Sequence, residues 1–170
     1  MPKKVVINST PFIILCNIGK ISILKDLYGE IQIPEAVYKE VTAKKDSACS
    51  KLNEFNDWIK IVNIPQNEKL KIYRARLHSG EVEVMILAQR EPIADLVIID
   101  DNAAKSTAKF LGLNVTGTLG VLLKAKKKGL IKDIKPILNN IKEHGFYISD
   151  NLEKLVLELS EEKDNGANDE

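Results

Sequence analysis

Short runs of β-branched and apolar residues alternate along this chain with longer segments of helical periodicity. One of these runs, Leu96–Asp100, is apolar up to its last residue, which suits a central strand in a sheet that is covered on both faces. Strands that alternate with helices form βαβ units, and such units build mostly parallel sheets. The sequence therefore predicts an α/β fold around a mostly parallel sheet of about five strands.

The predicted elements follow from these periodicities and from the positions of Gly and Pro. The strands are predicted at Lys4–Asn8, Ile31–Ile33, Trp58–Ile64, Leu96–Asp100 and Asn114–Thr116. The helices are predicted at Pro11–Asn17, Ser22–Tyr28 and Pro34–Val41, after Gly80, and at Asn102–Leu111, Thr118–Lys128, Ile131–Glu143 and Asp150–Leu159. Pro34 is expected at the first position of its helix, where no backbone N–H is needed.

The composition is that of a globular, soluble chain, with 44% hydrophobic and 29% charged residues. Its 170 residues are enough for one domain with a full hydrophobic core. We therefore predict a single domain over residues 1–160 and a disordered, acidic tail over residues 161–170. A net charge of +1 is not a nucleic-acid signature by itself, so any such surface has to arise from local clustering.

The sequence also predicts a cytoplasmic protein without membrane association. No apolar run approaches the ~20 residues that span a bilayer. Lys3 and Lys4 are not followed by the long apolar segment of a signal peptide. The two cysteines, Cys16 and Cys49, give neither a disulfide framework nor a zinc-binding pattern, which is typical of a reduced compartment.

Small and polar residues end or directly follow three predicted strands, at the edge where parallel α/β sheets bind ligands. They are Asn8, Ser9 and Thr10 after the first strand, Asp100 and Asp101 after the fourth, and Thr116, Gly117 and Thr118 after the fifth. Glu40 and Glu81 belong to helices that flank the same edge. Taken singly, each has a structural explanation, because Asp and Thr cap helices, Glu81 suits a first helical turn, and Glu40 suits a solvated face. Together, the four carboxylates and the hydroxyls of Thr116 and Thr118 at one edge favour a functional site.

The chemistry of such a site follows from its charge. Carboxylates that are held together repel one another unless a cation neutralises them, and Mg²⁺ and Mn²⁺ prefer oxygen ligands. A metal site of this kind supports phosphodiester hydrolysis, since it supplies a hydroxide and stabilises developing charge. The chain offers no competing set, because His78 and His144 are its only histidines, both in polar surroundings, and no glycine-rich phosphate motif is present.

Six segments carry a recognisable order and spacing: Val6–Ile13, Ile33–Val41, Ser79–Glu81, Ile98–Lys105, Gly112–Leu122 and Lys126–Ile131. In these segments the chain resembles the PIN-domain family, and the match runs from Val5 to about Leu157. The resemblance implies a three-layer α/β/α fold, often dimeric, and a ribonuclease that depends on Mg²⁺ or Mn²⁺, like the VapC-type toxins of toxin–antitoxin pairs. The partners that it implies are RNA, an antitoxin protein and a second copy of the chain.

The same resemblance implies which residues form the site. The four acidic positions of the family fall on Asn8, Glu40, Glu81 and Asp101, with Asp100 beside the last. Asn8, Glu81 and Asp101 are the implied metal ligands, and Thr116 and Thr118 match polar positions that contact nucleic acid. Asn8 departs from the family, which typically has Asp there. The amide oxygen of Asn8 can still bind a metal, but the site then has one negative charge fewer than with Asp.

Lys124, Lys126, Lys127 and Lys128 form the densest positive cluster of the sequence. They are expected to hold an RNA backbone, although a solvated face near a helix C-terminus explains them equally well. Two functions therefore stay open. The four carboxylates favour a metal-dependent endoribonuclease, whereas Asn8 favours a catalytically weak module that binds RNA or a protein.

Overall fold

The computed structural model describes residues 3–43, 57–65 and 78–162. Five strands in these ranges form one sheet in the order β3-β2-β1-β4-β5, and every pairing is parallel. The strands are β1 Val5–Ile7, β2 Ile31–Pro34, β3 Ile59–Val62, β4 Leu96–Ile98 and β5 Val115–Thr116. The predicted α/β class is confirmed, and the helices complete a three-layer α/β/α fold.

The described part of the chain contains eight helices. They are α1 Ser9–Asn17, α2 Ser22–Tyr28, α3 Glu35–Thr42, α4 Ser79–Gln89, α5 Asn102–Phe110, α6 Thr118–Lys127, α7 Lys135–Glu143 and α8 Asp150–Leu159. Local signals set several of their ends. α2 stops at Gly29, whose φ of 76° favours glycine, and Ser149 caps α8 by accepting a hydrogen bond from Leu152 N at 3.2 Å.

The winding of the sheet reverses between its two central strands. The chain places β2 and β3 on one side of β1, and then crosses to the other side for β4 and β5. β1 is buried throughout, and its register with β4 pairs Val5 with Leu96 and Ile7 with Ile98. A sheet that reverses in this way has a crevice at the carboxyl ends of the two central strands, where ligands bind.

A buried lysine holds α4 in place. Lys4 is only 5% exposed, and its Nζ donates to Leu87 O at 2.7 Å and to Arg90 O at 3.0 Å, at the end of α4. Burial first, and then the charge of Arg90, lower the pKa of Lys4. α4 also packs against β1, β2 and α3. These contacts fix where the first turn of α4 lies relative to the sheet.

The chain divides into two compact units, Met1–Thr118 and Leu119–Glu170. The first unit contains the whole sheet and helices α1 to α5. In the second unit, the described residues 119–162 form most of α6 together with α7 and α8. None of the described helices is both long enough and apolar enough to cross a membrane.

Several predicted boundaries are wrong, including the start of α1, which is Ser9 and not Pro11, and the end of β3, which is Val62 and not Ile64. Pro34 is not the first residue of α3, because it ends β2 in register with Val62 and precedes the helix as its N-cap. β4 ends at Ile98, two residues earlier than predicted, although Ile99 N still donates to Thr116 O at 2.8 Å. The helix predicted from Ile131 begins at Lys135, because Pro136 fits the first turn of a helix and not its interior.

Glu162 belongs to the predicted disordered tail, yet it is anchored within the second unit. Its carboxylate accepts hydrogen bonds from Lys126 Nζ at 2.7 Å, from Lys135 N at 3.0 Å and from Ile134 N. Burial alone would raise the pKa of this carboxyl, but the three donors outweigh burial and hold the pKa below its ordinary value of 4.5. The rest of the predicted tail, residues 163–170, lies outside the described residues.

We expect Glu162→Gln to lower the free energy of unfolding by about 1–2 kcal/mol at neutral pH, because hydrogen bonds to a charged acceptor are the strong ones. A lowered pKa means that the stabilisation is complete above pH 4.5 and is lost as the pH falls through the pKa of the folded state. The difference between the two proteins should therefore vanish in acid. Urea unfolding at a series of pH values measures it.

Glu161→Gln is the matched control for this experiment, because Glu161 is the exposed neighbour of Glu162. Its effect on the free energy of unfolding should stay within about 0.5 kcal/mol. Equal losses from both substitutions, or a difference that does not depend on pH, would contradict the anchoring role of Glu162.

Candidate functional site

Asn8 lies at the crevice between the central strands. Its backbone N–H donates to Ile98 O at 2.9 Å and so continues the pairing of β1 with β4. Asn8 is 5% exposed, and its buried Oδ1 accepts no hydrogen bond from the described residues. An unsatisfied buried carbonyl oxygen costs about 1–3 kcal/mol. A ligand that bonded to this oxygen would remove that cost, so Asn8 Oδ1 is the atom of the site best suited to bind one.

A cleft of about 460 Å³ opens beside Asn8. Its lining residues are Asn8, Ser9, Thr10, Glu40, His78 and Glu81. The structure thus brings together three of the five predicted catalytic residues, from the end of β1, from α3 and from α4. The other two, Asp100 and Asp101, are not among the lining residues of this cleft.

Glu40 reaches the cleft from α3 and is held there by Ser9, whose Oγ donates to Glu40 Oε2 at 2.6 Å. Gly80, the second residue of α4, makes room for the other carboxylate oxygen. A Cβ at Gly80 would collide with Glu40 Oε1 and would stand only 3.2 Å from Glu40 Cδ. Although Glu40 is exposed, its carboxylate lines the cleft and accepts a hydrogen bond from Ser9, so it is not only a solvated helix residue.

Glu81 lines the cleft and also caps its own helix. It lies in the first turn of α4, and its Oε2 accepts a hydrogen bond from His78 N at 2.8 Å. A carboxylate in a first turn also interacts favourably with the helix dipole. Glu81 therefore caps α4, as its place in the first turn suggested, and it also lines the cleft. His78, for which the sequence predicts no role, lines the cleft from the same helix end.

Asp100 belongs to a second polar cluster, with residues that follow β5. Its Oδ1 accepts from Thr118 N at 2.8 Å, and its Oδ2 accepts from Thr118 Oγ1 at 2.6 Å. Gly117 is needed beside this pair, because a Cβ there would lie 2.7 Å from Asp100 Oδ1 and 2.9 Å from Lys105 Nζ. Lys105 is thus a neighbour of this cluster, with a role that the sequence does not predict. The available signal is its position one helical turn after Asp101.

Asp101 is exposed and caps α5, since its Oδ2 accepts a hydrogen bond from Ala104 N at 2.8 Å. The capping explanation of this residue is confirmed. Thr116 ends β5, where its carbonyl accepts from Ile99 N at 2.8 Å. Over residues 3–43, 57–65 and 78–162, no three carboxylates, imidazoles or thiols are grouped closely enough to hold a metal ion by themselves.

The cleft nevertheless has the donor chemistry that a hard divalent cation requires. Asn8 contributes a buried amide oxygen, and Glu40 and Glu81 contribute carboxylates to the same wall. Mg²⁺ and Mn²⁺ prefer oxygen ligands, and Mg²⁺ usually keeps several of its waters, so it needs only a few protein ligands. The residues present therefore fit such a cation, because two carboxylates and one amide oxygen line the same cleft.

The predicted nucleic-acid lysines lie in the second unit, on α6 and the turn after it. They line a groove of about 1040 Å³, whose residues are Leu123, Lys124, Lys126, Lys127, Lys128, Leu159, Ser160 and Glu161. Lys126 Nζ lies 2.7 Å from Glu162 Oε1, so its ammonium group forms an ion pair. Lysine ammonium groups are among the groups with which proteins neutralise phosphates when they bind nucleic acid.

We expect Asp101→Ala to lower the free energy of unfolding in a metal chelator by about 1 kcal/mol, because α5 loses its N-cap. Asp101→Asn should change it little, because Asn caps helices as well as Asp does. Thermal unfolding of the three proteins measures both effects. If Asp101→Ala melts higher than the parent, repulsion among carboxylates outweighs the cap, and Asp101 belongs with the charges of the cleft.

Comparison with known proteins places this geometry in a family. A family model for the PIN domain matches residues 4–162. A similar solved structure is a domain of a functionally unknown protein from Methanocaldococcus jannaschii, which is 20% identical, with a TM-score of 0.44 over 68% of this chain and 90% of that chain. No functionally curated protein matches significantly. Because the family match covers nearly the whole chain, this protein belongs to the PIN-domain family.

Proposed function

We propose that this PIN domain is an endoribonuclease that uses Mg²⁺ or Mn²⁺ to hydrolyse RNA phosphodiester bonds. The observation that carries the proposal is the buried Asn8 Oδ1, which lacks a hydrogen bond from the described residues and which lines one cleft with Glu40 and Glu81. Membership of the PIN family supports a nuclease fold and a dependence on divalent metal. The carboxylates and the amide together supply only oxygen ligands, which suits these cations.

Asn8, Glu40 and Glu81 would hold the cation in this cleft. When bound, the cation would lower the pKa of its water and offset the charge that develops on the phosphate. The chain's own contribution is to keep the ligands in place before the reaction. Ser9 orients Glu40 through a 2.6 Å hydrogen bond, and the N–H of His78 orients Glu81 at 2.8 Å.

Asp100 and Asp101 have different roles in this proposal. Both oxygens of Asp100 accept hydrogen bonds from Thr118, so we propose Asp100 as a positioning residue for the segment that follows β5. Asp101 commits Oδ2 to capping α5, so its part in the reaction would rest on its charge and its second oxygen. Asp101→Asn keeps the cap and removes the charge, which makes it the variant that separates the two functions.

RNA is the proposed substrate, and Lys124, Lys127 and Lys128 are its proposed backbone contacts. Lys126 is a further candidate, and an RNA contact there would compete with its ion pair to Glu162. A toxin role with an antitoxin partner is the finer form of the proposal, and its support is the resemblance to VapC-type proteins. The cytoplasm is the proposed compartment, since the two cysteines form no disulfide or zinc pattern and the substrate is RNA.

A catalytically weak module that binds RNA or a protein is the second candidate function. Asn8 favours it, because an amide in place of the family's carboxylate leaves the cleft with one negative charge fewer and therefore weakens its attraction for a cation. The capping bond of Asp101 also favours it, since that carboxylate is not among the lining residues of the cleft. The two candidates differ in one property, metal-dependent cleavage, which an assay measures directly.

We expect the purified protein to cleave single-stranded RNA with Mn²⁺ or Mg²⁺ and to be inactive in chelator. Glu40→Gln should lose activity on the order of a hundredfold or more, because the cation that would offset the developing negative charge loses one of its proposed carboxylate ligands. Gln retains an acceptor for the hydroxyl of Ser9, so the fold should be preserved. Initial rates on a labelled RNA measure the loss.

Glu35→Gln is the matched control, since Glu35 lies on the same helix and is not one of the residues that line the cleft. It should retain the activity of the parent. Cleavage that survives Glu40→Gln would place the activity outside this cleft. Binding of RNA without any metal-dependent cleavage by the parent would reject the nuclease in favour of the binding module.

A further inference from the structure

The polar cluster that follows β4 and β5 also contains a positive charge, the ammonium group of Lys105. A Cβ at Gly117 would lie 2.9 Å from Lys105 Nζ and 2.7 Å from Asp100 Oδ1, so both groups approach the same point of the backbone. Asp100 follows β4 and Gly117 follows β5, and these two strands pair in parallel. The ammonium group therefore lies at the carboxyl edge of the sheet, where ligands bind in folds of this type.

The N–H groups of this ammonium are not used by the described part of the chain. Lys105 is half-buried, and its Nζ forms no hydrogen bond and no ion pair with any described residue. An ammonium group has three N–H donors. Lys4 shows the contrast, because it is a buried lysine whose Nζ donates to two backbone carbonyls, Leu87 O and Arg90 O. Lys105 thus lacks the contacts of a lysine that serves the fold alone.

Asp100 draws the ammonium group towards the sheet without occupying its donors. Both oxygens of Asp100 accept hydrogen bonds from Thr118, Oδ1 from the backbone N–H at 2.8 Å and Oδ2 from Oγ1 at 2.6 Å. The carboxylate still attracts the nearby positive charge of Lys105. Gly117 permits the approach, because a side chain there would meet both groups. The result is a positive charge at the edge of the sheet, with donors left for an acceptor from outside the chain.

We propose that Lys105 is a phosphate-binding residue, whose ammonium group donates to a phosphodiester oxygen of RNA. RNA as the ligand rests on the proposed function, and the site rests on the open donors of Lys105. Phosphate oxygens suit these donors, because hydrogen bonds between charged groups are the strong ones. Lys105 belongs to the compact unit that contains Asn8, Glu40 and Glu81, whereas the lysines proposed above belong to the other unit. It would therefore position the strand within the unit that carries the cleft.

Binding of a labelled single-stranded RNA to the full chain, measured in chelator over a series of salt concentrations, tests this proposal. Lys105→Gln should weaken binding about threefold to tenfold at low salt, because one charge-assisted phosphate contact is lost. The slope of log K against log salt should fall in magnitude by about 0.7, the value for one phosphate contact to a single strand. Lys105→Arg, which keeps the charge, should retain most of the affinity.

Lys109→Gln is the matched control, because Lys109 is an exposed lysine one turn further along α5. It removes the same charge and should leave both the affinity and the salt slope unchanged. Equal effects of Lys105→Gln and Lys109→Gln would overturn the proposal, since the loss would then reflect overall charge. A structural role beside Asp100 would overturn it too, and would appear as a lower urea midpoint for Lys105→Gln with an unchanged salt slope.

A second measurement uses the parent protein alone. RNA should slow the acetylation of Lys105 by acetic anhydride, followed by mass spectrometry, while Lys109 reacts at its original rate. Unchanged acetylation of Lys105 at saturating RNA overturns the proposal. The proposed nuclease fails by a different result, an absence of metal-dependent cleavage, which binding in chelator does not involve. A parent that binds no RNA would overturn both.

Discussion

The hydrogen bond from Asn8 N to Ile98 O, 2.9 Å long, continues the ladder between the two central strands at the place where the winding of the sheet reverses. It sets Asn8 at the crevice that this reversal opens, and the neighbouring elements converge on it. α3 follows β2 directly, and α4 is held by Lys4 and by its packing against β1 and β2. The cleft at Asn8 is thus a consequence of strand order.

The acidic residues of the site take part in local structure as well as in its proposed chemistry. Glu81 caps α4, Asp101 caps α5, Asp100 binds Thr118 and Glu40 accepts a hydrogen bond from Ser9. These bonds fix side chains before any ligand arrives, which is how an enzyme avoids reorganisation during its reaction. For Glu81 the capping role and the place in the cleft coincide. For Asp101 the capping role is the one that the structure shows.

Much of the fold was predictable from the sequence, because its signals are local. The apolar run that begins at Leu96 indicates a central strand, and α8 begins and ends at the predicted residues, Asp150 and Leu159. The resemblance to PIN domains also placed Asn8, Glu40 and Glu81 together. Other features depend on contacts between residues far apart in the sequence, which local sequence patterns do not indicate. Glu162 is anchored by Lys126, 36 residues away, and Ser9 meets Glu40 across 31 residues.

Asp101 shows why the choice between a cap and a ligand was not predictable. An aspartate that directly follows a strand and precedes a helix suits both roles, and only the direction of its side chain decides between them. Gly80 and Gly117 illustrate the same limit. A Cβ at either glycine would approach a carboxylate from elsewhere in the chain, Glu40 at Gly80 and Asp100 at Gly117, whereas the sequence shows only a glycine before a polar residue.

Thermal unfolding with Mn²⁺ tests most directly whether the Asn8 cleft is a cation site, using the parent, Asn8→Asp and Asn8→Leu. A cation that binds only the folded form stabilises it by about 2.7 kcal/mol at a hundredfold excess over its dissociation constant. Mn²⁺ should raise the melting temperature of the parent, raise that of Asn8→Asp by more, and leave Asn8→Leu unchanged, since Leu has no oxygen for the cation. In chelator, Asn8→Asp should melt below the parent, because it adds a buried charge beside Glu40 and Glu81. A cation site at Asn8 would be contradicted if Mn²⁺ raised the melting temperatures of all three proteins equally. It would also be contradicted if Mn²⁺ changed the melting temperature of neither the parent nor Asn8→Asp.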